Sequence, residues 1–478
     1  MKTVSRFYAS LGLLLVLNLL VKPLWIFGID RPVQNSTGTA IYGSYFALLN
    51  LAIVLGFLLD WGLNAFMSRQ LAAAPENNQL PTGYFLRLKL YMILLYATVV
   101  FIVAFVTGIQ QWSWLFLLIL IQALTSLFLY ARAVLSARQW FRADAFFSVL
   151  DKTLMILVCG SFFLLPVAGP VTITKFLGAQ ALCTGIALLS VLFYLEKKGV
   201  VFSFKKVELN SGQFFRSIVP YGLIILLMSA HYRLDGFLLE RLHPDGAYQA
   251  GIYAGAYRLL DAGNMAGYLL ASFLLPFIAK HQDQKKEVNE AIKTTRNFLL
   301  LLSASAIAFI VALTPLLQSL LYHDQNPYAI EVLQFCIPAL LGYALVQVYG
   351  TVLTATGQIR SFCYIVFAAL ILNTGLNLLL IPAYGALGCC YAALVSHSAC
   401  GITTAYLATR KAGLPVYLRS GLAGILIGAI LFCFLYFGKS IIPGIPWLMI
   451  CAAFLVIGLL YFTRLARPAE WKKIFINN

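Results

Sequence analysis

The residues of this chain that could do chemistry are few, and they are charges set inside apolar runs. Lys22 stands just before Pro23, Arg233 and Asp235 share one run, Arg258 and Asp261 share the next, and Asp60 closes an early one. An ionisable side chain at the centre of a membrane helix costs roughly 2.5–3.5 kcal/mol to insert, so such a group is a functional candidate by default. Counted along the helices, Lys22, Arg233, Arg258 and Asp261 fall in the outer half of a bilayer. If Lys22, Arg233 and Arg258 face a common cavity, that cavity is cationic. It then suits an anionic head group such as a phosphate or pyrophosphate, because Arg offers paired donors and Lys a point charge. Asp60, Asp235 and Asp261 are candidates for the same cavity or for ion coupling. Plainer readings stand beside these. Arg258 and Asp261 are three apart and can neutralise each other, while Lys22, Arg233 and Asp235 can reach toward the interface. Asp60, beside Trp61-Gly62, can cap a helix or pair with a loop cation. His397 reads as a packed helix contact rather than a proton carrier.

No catalytic constellation accompanies these charges. The sequence has no Gly-rich phosphate loop ending in Lys-Ser/Thr and no HExxH. The nine cysteines lie largely in apolar runs, and the adjacent Cys389-Cys390 has no metal spacing. We therefore expect no enzyme activity, no cofactor and no metal. Asn35-Ser36-Thr37 is a sequon-like triplet in what reads as an outer loop.

The elements that must position these charges are membrane helices. Hydrophobic residues make up 61% of the 478 positions and charged residues 11%, against about 25% charged in soluble proteins. The expectation is an all-α polytopic membrane protein of about fourteen transmembrane helices. Apolar runs long enough to span lie at about 7–28, 41–66, 84–107, 113–136, 146–165, 173–195, 215–239, 250–277, 297–321, 328–353, 361–382, 385–409, 416–437 and 443–463. The first reads as a retained span, since it lacks a small-residue cleavage site. Pro23, Pro220, Pro315 and Pro338 fall within spans and can bend them.

The net charge of +17 does not point to nucleic acid, because the cations sit in short loops between apolar runs. With a cytoplasmic N-terminus, all 34 Lys and Arg fall on inner loops, inner span ends or termini except Lys22, Arg31, Lys175, Arg233, Arg241, Arg258 and Lys439. That bias supports an even number of spans with both termini cytoplasmic. Ile41-Tyr42 and Leu48-Leu49-Asn50 recur as Ile252-Tyr253 and Leu259-Leu260-Asp261. A parallel repeat of two six-helix halves follows, with a substrate path between them. The expected divisions are 1–195, a cytoplasmic linker 196–214, 215–409, and 410–478 with two extra helices and a basic tail.

Ordered motifs add a resemblance. Tyr42-Gly43-Ser44-Tyr45 running to Asp60-Trp61-Gly62-Leu63 and Ser68-Arg69-Gln70 resembles the second span of polysaccharide flippases. Those proteins belong to the multidrug/oligosaccharidyl-lipid/polysaccharide exporter superfamily. Tyr232-Arg233-Leu234-Asp235-Gly236, then Gly251-Ile252-Tyr253 and Ala256-Tyr257-Arg258, resembles it too, as does Asn377-Leu378-Leu379-Leu380-Ile381-Pro382-Ala383-Tyr384-Gly385-Ala386-Leu387-Gly388. The resemblance implies a monomeric bacterial inner-membrane transporter that flips undecaprenyl-pyrophosphate-linked oligosaccharide by alternating access. A coupling ion, H+ or Na+, or the membrane potential would drive it. Arg233, Asp235 and Arg258 lie in the matching motifs; Lys22 rests on the physical argument. A lipid II flippase and a multidrug/cation antiporter remain alternatives. A membrane glycosyltransferase or polymerase is disfavoured by the short outer loops, since such enzymes need a sizeable one.

Overall fold

The computed structural model describes residues 17–18, 20–64, 67, 82–164, 169–200, 211–281, 283–415, 418–442 and 444–463. Among them there is helix and turn but no strand. In a bilayer this is the expected solution, since a helix satisfies its backbone polar groups internally.

Fourteen helices follow the expected spans in order. They are α1 (residues 20–37), α2 (Thr39–Leu55, continued by a 3-10 turn Gly56–Leu59), α3 (Thr82–Val106), α4 (Trp112–Ala137), α5 (Phe141–Leu164), α6 (Ile173–Lys197) and α7 (Ser211–Leu242). Then come α8 (Gly246–Lys280), α9 (Lys285–Ala312), α10 (Pro327–Ala355), α11 (Ile359–Tyr384), α12 (Ala386–Ala412), α13 (Leu418–Gly438) and α14 (Ile445–Thr463). Among the described residues twelve of these, α2 to α13, are long and apolar enough to cross a membrane, which makes this a multi-pass membrane protein. The apolar stretch of α14, Ile445–Leu459, is shorter. Residues 7–16 of the first expected span lie outside the described residues, as do Lys2, Arg6, Arg69, Lys205, Lys206 and the tail cations Arg464, Arg467, Lys472 and Lys473.

Three details differ from the sequence reading. Helix α1 runs on past Gly28 to Thr37, through a π-helical stretch Ile26–Asp30, so the sequon-like triplet is helical. The connection to α2 shrinks to Gly38, whose φ of +89° a glycine adopts without a Cβ clash. The span expected to reach 321 stops at Ala312, and a separate helix Thr314–Leu321 begins with Pro315 in its first turn. Proline lacks the N–H that would continue α9 but starts a helix readily. Pro338 sits in a 3-10 turn, Ile337–Ala339, within α10, and Pro220 lies inside α7.

The chain divides into two compact units, residues 1–251 and 252–478. In the first, α2 is buried over most of its length and packs on α7 and the first turns of α8 along a glycine seam. A Cβ at Gly43 would overlap the Ala247 carbonyl, one at Gly236 the Asn50 amide, and one at Gly251 the Thr39 carbonyl. Small residues let backbones approach this closely, and dispersion contacts then hold the helices together. Gln34 Nε2 donates to the Gly251 carbonyl at 2.9 Å, and Tyr96 Oη donates to the Ala52 carbonyl at 3.1 Å.

In the second unit, α10 packs on α12 where Gly342 meets the His397 backbone. Tyr328 Oη donates to the Tyr384 carbonyl at 2.7 Å and accepts from the Leu387 N–H at 3.2 Å. One phenol thus ties α10 to the α11–α12 turn, whose pivot is Gly385 at φ +55°. Helix α13 packs on α9, with Gly428 against Ala304, and α14 joins through Leu448 and Ala452.

Candidate functional site

In the first unit, α1 and α5 are joined by Asn18 Nδ2 donating to Ser148 Oγ at 3.0 Å. One helical turn along each helix stand Lys22 and Lys152, with Asp151 beside the latter. The Lys152 ammonium is 3.3 Å from Asp151 and 5.2 Å from the centre of the Trp25 ring. Trp25 in turn stacks on Phe176 of α6, with centroids 5.7 Å apart. The charges acting on Lys22 are those of Asp151, Lys152 and Arg132. The seam is therefore layered: an amide–hydroxyl pair, then two ammoniums and one carboxylate, then an aromatic stack. Lys152 lies roughly 16 Å along α5 from Phe141, near the middle of a bilayer core about 30 Å thick. Toward the start of α5, Arg132 Nε meets Asp144 at 2.8 Å, and Ser136 Oγ donates to the other Asp144 oxygen at 3.1 Å.

Asp60 is placed where α2 ends. Its carboxylate takes the Lys89 ammonium at 2.9 Å and caps the Asn64 N–H at 3.2 Å. Lys89 has no exposed side-chain area, whereas Asp60 keeps 27%. Both plain readings of Asp60 thus hold together: it caps and it pairs, but its partner is a buried cation of α3 rather than a loop residue. Trp61 then adopts φ +46° and Gly62 φ +81°. A bulky residue in the left-handed region is an outlier that surrounding contacts must hold. Here the Trp61 ring sits 5.6 Å from Phe57, and Gly222 of α7 leaves room for the Trp61 backbone.

Toward the other end of α2, Tyr42 Oη donates to Asp30 at 2.7 Å. On α7, Asp235 is 2% exposed and accepts from the Gly236 N–H, while Arg233 is half-buried. In the second unit, Arg258 and Asp261 are both half-buried on α8, three residues apart and so on one face. One turn on, buried Asn264 accepts from Gln347 Nε2 of α10 at 3.4 Å. On α11 and α12 a buried polar string runs from Asn377 to Asn373 at 3.0 Å and on to Ser396 at 3.1 Å. His397 is buried edge-on to Tyr343, centroids 4.3 Å apart.

The structure thus groups Lys22 with charges that sequence reasoning had placed elsewhere. Lys89, Arg132 and Lys152 read as inner loop or span-end cations; all three lie within helices. Asp30, Asp144 and Asp151 drew no attention. The available signal was that Asp151-Lys152 falls inside the expected run 146–165, five and six residues past its start. Among the described residues no group of His, Cys, Asp and Glu could hold a metal ion.

These geometries sit on a known architecture. Residues 220–379 match the MatE family model. The chain shares the fold of MATE transporters and of MurJ. With the structure "Lipid II flippase MurJ, inward closed conformation" it has 13% identity and a TM-score of 0.68, over 94% of this chain and 98% of that one. With a MATE in complex with MaD5 it has 13% identity and a TM-score of 0.61, over 85% and 96%. With the outward-facing conformation of a multidrug resistance MATE family transporter of the MOP superfamily the values are 12% and 0.57, over 86% and 96%. The difference in coverage of this chain amounts to about two spans of sequence. No curated protein sequence gives a significant match.

Proposed function

We propose that this chain is a transporter of the MOP type that flips undecaprenyl-pyrophosphate-linked oligosaccharide across a bacterial inner membrane by alternating access. One observation carries the reading: half-buried cations, Lys22, Arg233 and Arg258, stand inside helices of a fold shared with MATE transporters and MurJ. A fold alone does not name a cargo; the sign of the interior charges supports an anionic one. Lys22 and the two arginines would hold the pyrophosphate, and Asp60, Asp235 and Asp261 would line the path or bind a coupling ion, H+ or Na+. In this reading the two six-helix halves, 1–195 and 215–409, are parallel repeats, 410–478 is an appended helix pair, and both termini are cytoplasmic. The protein acts without enzymatic chemistry and as a monomer.

A second reading, lipid II as cargo, is favoured by the near-complete coverage of MurJ. Both cargoes present a polyprenyl pyrophosphate, so the cationic interior serves either. The test is R233A and R258A in cells dependent on the chain, with protein levels matched and lipid-linked glycan in the outer leaflet measured. Loss of delivery in both is expected. Wild-type delivery in both would sink the cationic-cavity assignment.

A further inference from the structure

We infer that Lys22 and Lys152 form a phosphate-type oxyanion subsite on the α1–α5 seam, with Asp151 as its internal competitor and the Trp25 ring as its wall. The inference rests on the transporter reading above, shares Lys22 with its cavity, and adds Lys152 and Asp151, which neither the motifs nor that cavity includes.

The Asn18–Ser148 bond, 3.0 Å long, fixes the two helices side by side. Residues four further along a helix return to the same face one turn higher. Lys22 and Lys152 therefore share one layer. Lys152 lying 5.2 Å from the ring of Trp25, which is one turn past Lys22, confirms that the two helices ascend together.

The layer's charge does not close. It holds two ammoniums and one carboxylate, and the nearest further cation, Arg132, is already matched to Asp144 at 2.8 Å. Two like charges near the bilayer midplane repel each other in a medium that screens poorly. An anion seated between them removes that repulsion and gains charge-assisted bonds from both. Asp151, on the same turn as Lys152, is the anion now present, and its 3.3 Å separation is a loose ion pair that a doubly charged oxyanion can outcompete. The aromatic stack of Trp25 on Phe176 keeps the next turn apolar and confines the charge to this layer. Half-buried lysines remain reachable by a ligand: Lys152 keeps 25% of its side-chain surface and Asp151 keeps 17%. A pyrophosphate head group and free pyrophosphate share the required chemistry.

The test uses the full-length chain purified in detergent. Binding of inorganic pyrophosphate and of undecaprenyl pyrophosphate is measured by calorimetry, with size-exclusion profiles controlling for folding. K22Q and K152Q should each weaken binding at least tenfold, while K152R should stay within about threefold of wild type. D151N should tighten binding several-fold, a gain that misfolding cannot mimic. Equal binding of both ligands assigns recognition to the oxyanion alone, and binding of the lipid form alone assigns it to the lipid head group; either supports the subsite when it depends on both lysines. Wild-type affinity in K22Q and K152Q overturns the subsite and the place of Lys22 on the pyrophosphate, while the transporter reading stands on Arg233 and Arg258. Lysine-dependent binding without flipping activity in the wild type would instead overturn the transporter reading and keep the subsite. Failure of the wild type to bind either ligand overturns both.

Discussion

Removing the carboxylate of Asp60 should destabilise the first unit far more than removing the ammonium of Lys89. The two groups are 2.9 Å apart. At an effective dielectric constant of ~20, unit charges at that distance attract by about 6 kcal/mol before desolvation is counted. The net value is smaller, and the asymmetry decides the outcome. Lys89 is wholly enclosed, so D60N strands a charge with no route to water, at a cost of about 3–5 kcal/mol. In K89M the stranded group is Asp60, which keeps 27% of its side-chain surface and still caps the Asn64 N–H. Its loss should be about 1.5–2 kcal/mol, the low end for one hydrogen bond to a charged group, because water still reaches the carboxylate. The double variant D60N/K89M buries no unmatched charge and should recover most of the D60N loss. Unfolding in mixed micelles measures all three, and the order of apparent melting temperatures already decides the point. Equal losses in the two single variants, or no recovery in the double, would refute the argument that burial of Lys89 sets the energetics.

Other outcomes follow from single contacts. G43V should prevent a monodisperse first unit from forming, because even a Cβ overlaps the Ala247 carbonyl; G56A, with nothing within 4 Å, should express like wild type. Expression and size-exclusion profiles separate the two. Gln139 is exposed at φ +59°, so Q139G should raise stability by about 0.5–1 kcal/mol, read as a higher melting temperature. S396A removes the acceptor of Asn373 at 3.1 Å and leaves a buried amide short of a partner, costing about 1–2 kcal/mol in the same assay.

The helices were legible because a bilayer demands about twenty apolar residues per crossing, and that demand is written locally. Among the described residues each of the fourteen expected runs meets a helix, and the errors are local too. The sequon-like triplet reads as loop because the first apolar run ends at Gly28, yet Pro32 sits in the first turn of the segment Arg31–Thr37, where it is compatible with helix. The charges were less legible. A cation one or two turns inside a helix, such as Lys89 or Lys152, has the same sequence signature as one in the adjoining loop. Whether it turns inward depends on which helix lies beside it, and Asn18 and Ser148 are 130 residues apart. The pairing of Asp60 was anticipated in kind but not in partner, for the same reason.

The glycine seam that α2 makes with α7 and the start of α8 bears on how the protein is made. Gly43 and Thr39 are synthesised early, but the backbone that covers them, Ala247 to Gly251, emerges some two hundred residues later. Until then α2 holds an open groove and a buried-to-be Asn50 with no α7 to enclose them. The first unit therefore cannot close one helix at a time as the chain leaves the ribosome. Six helices must wait in the membrane for the seventh and the start of the eighth. During that interval the insertion machinery, or a chaperone beside it, has to shelter the unfinished groove from other chains.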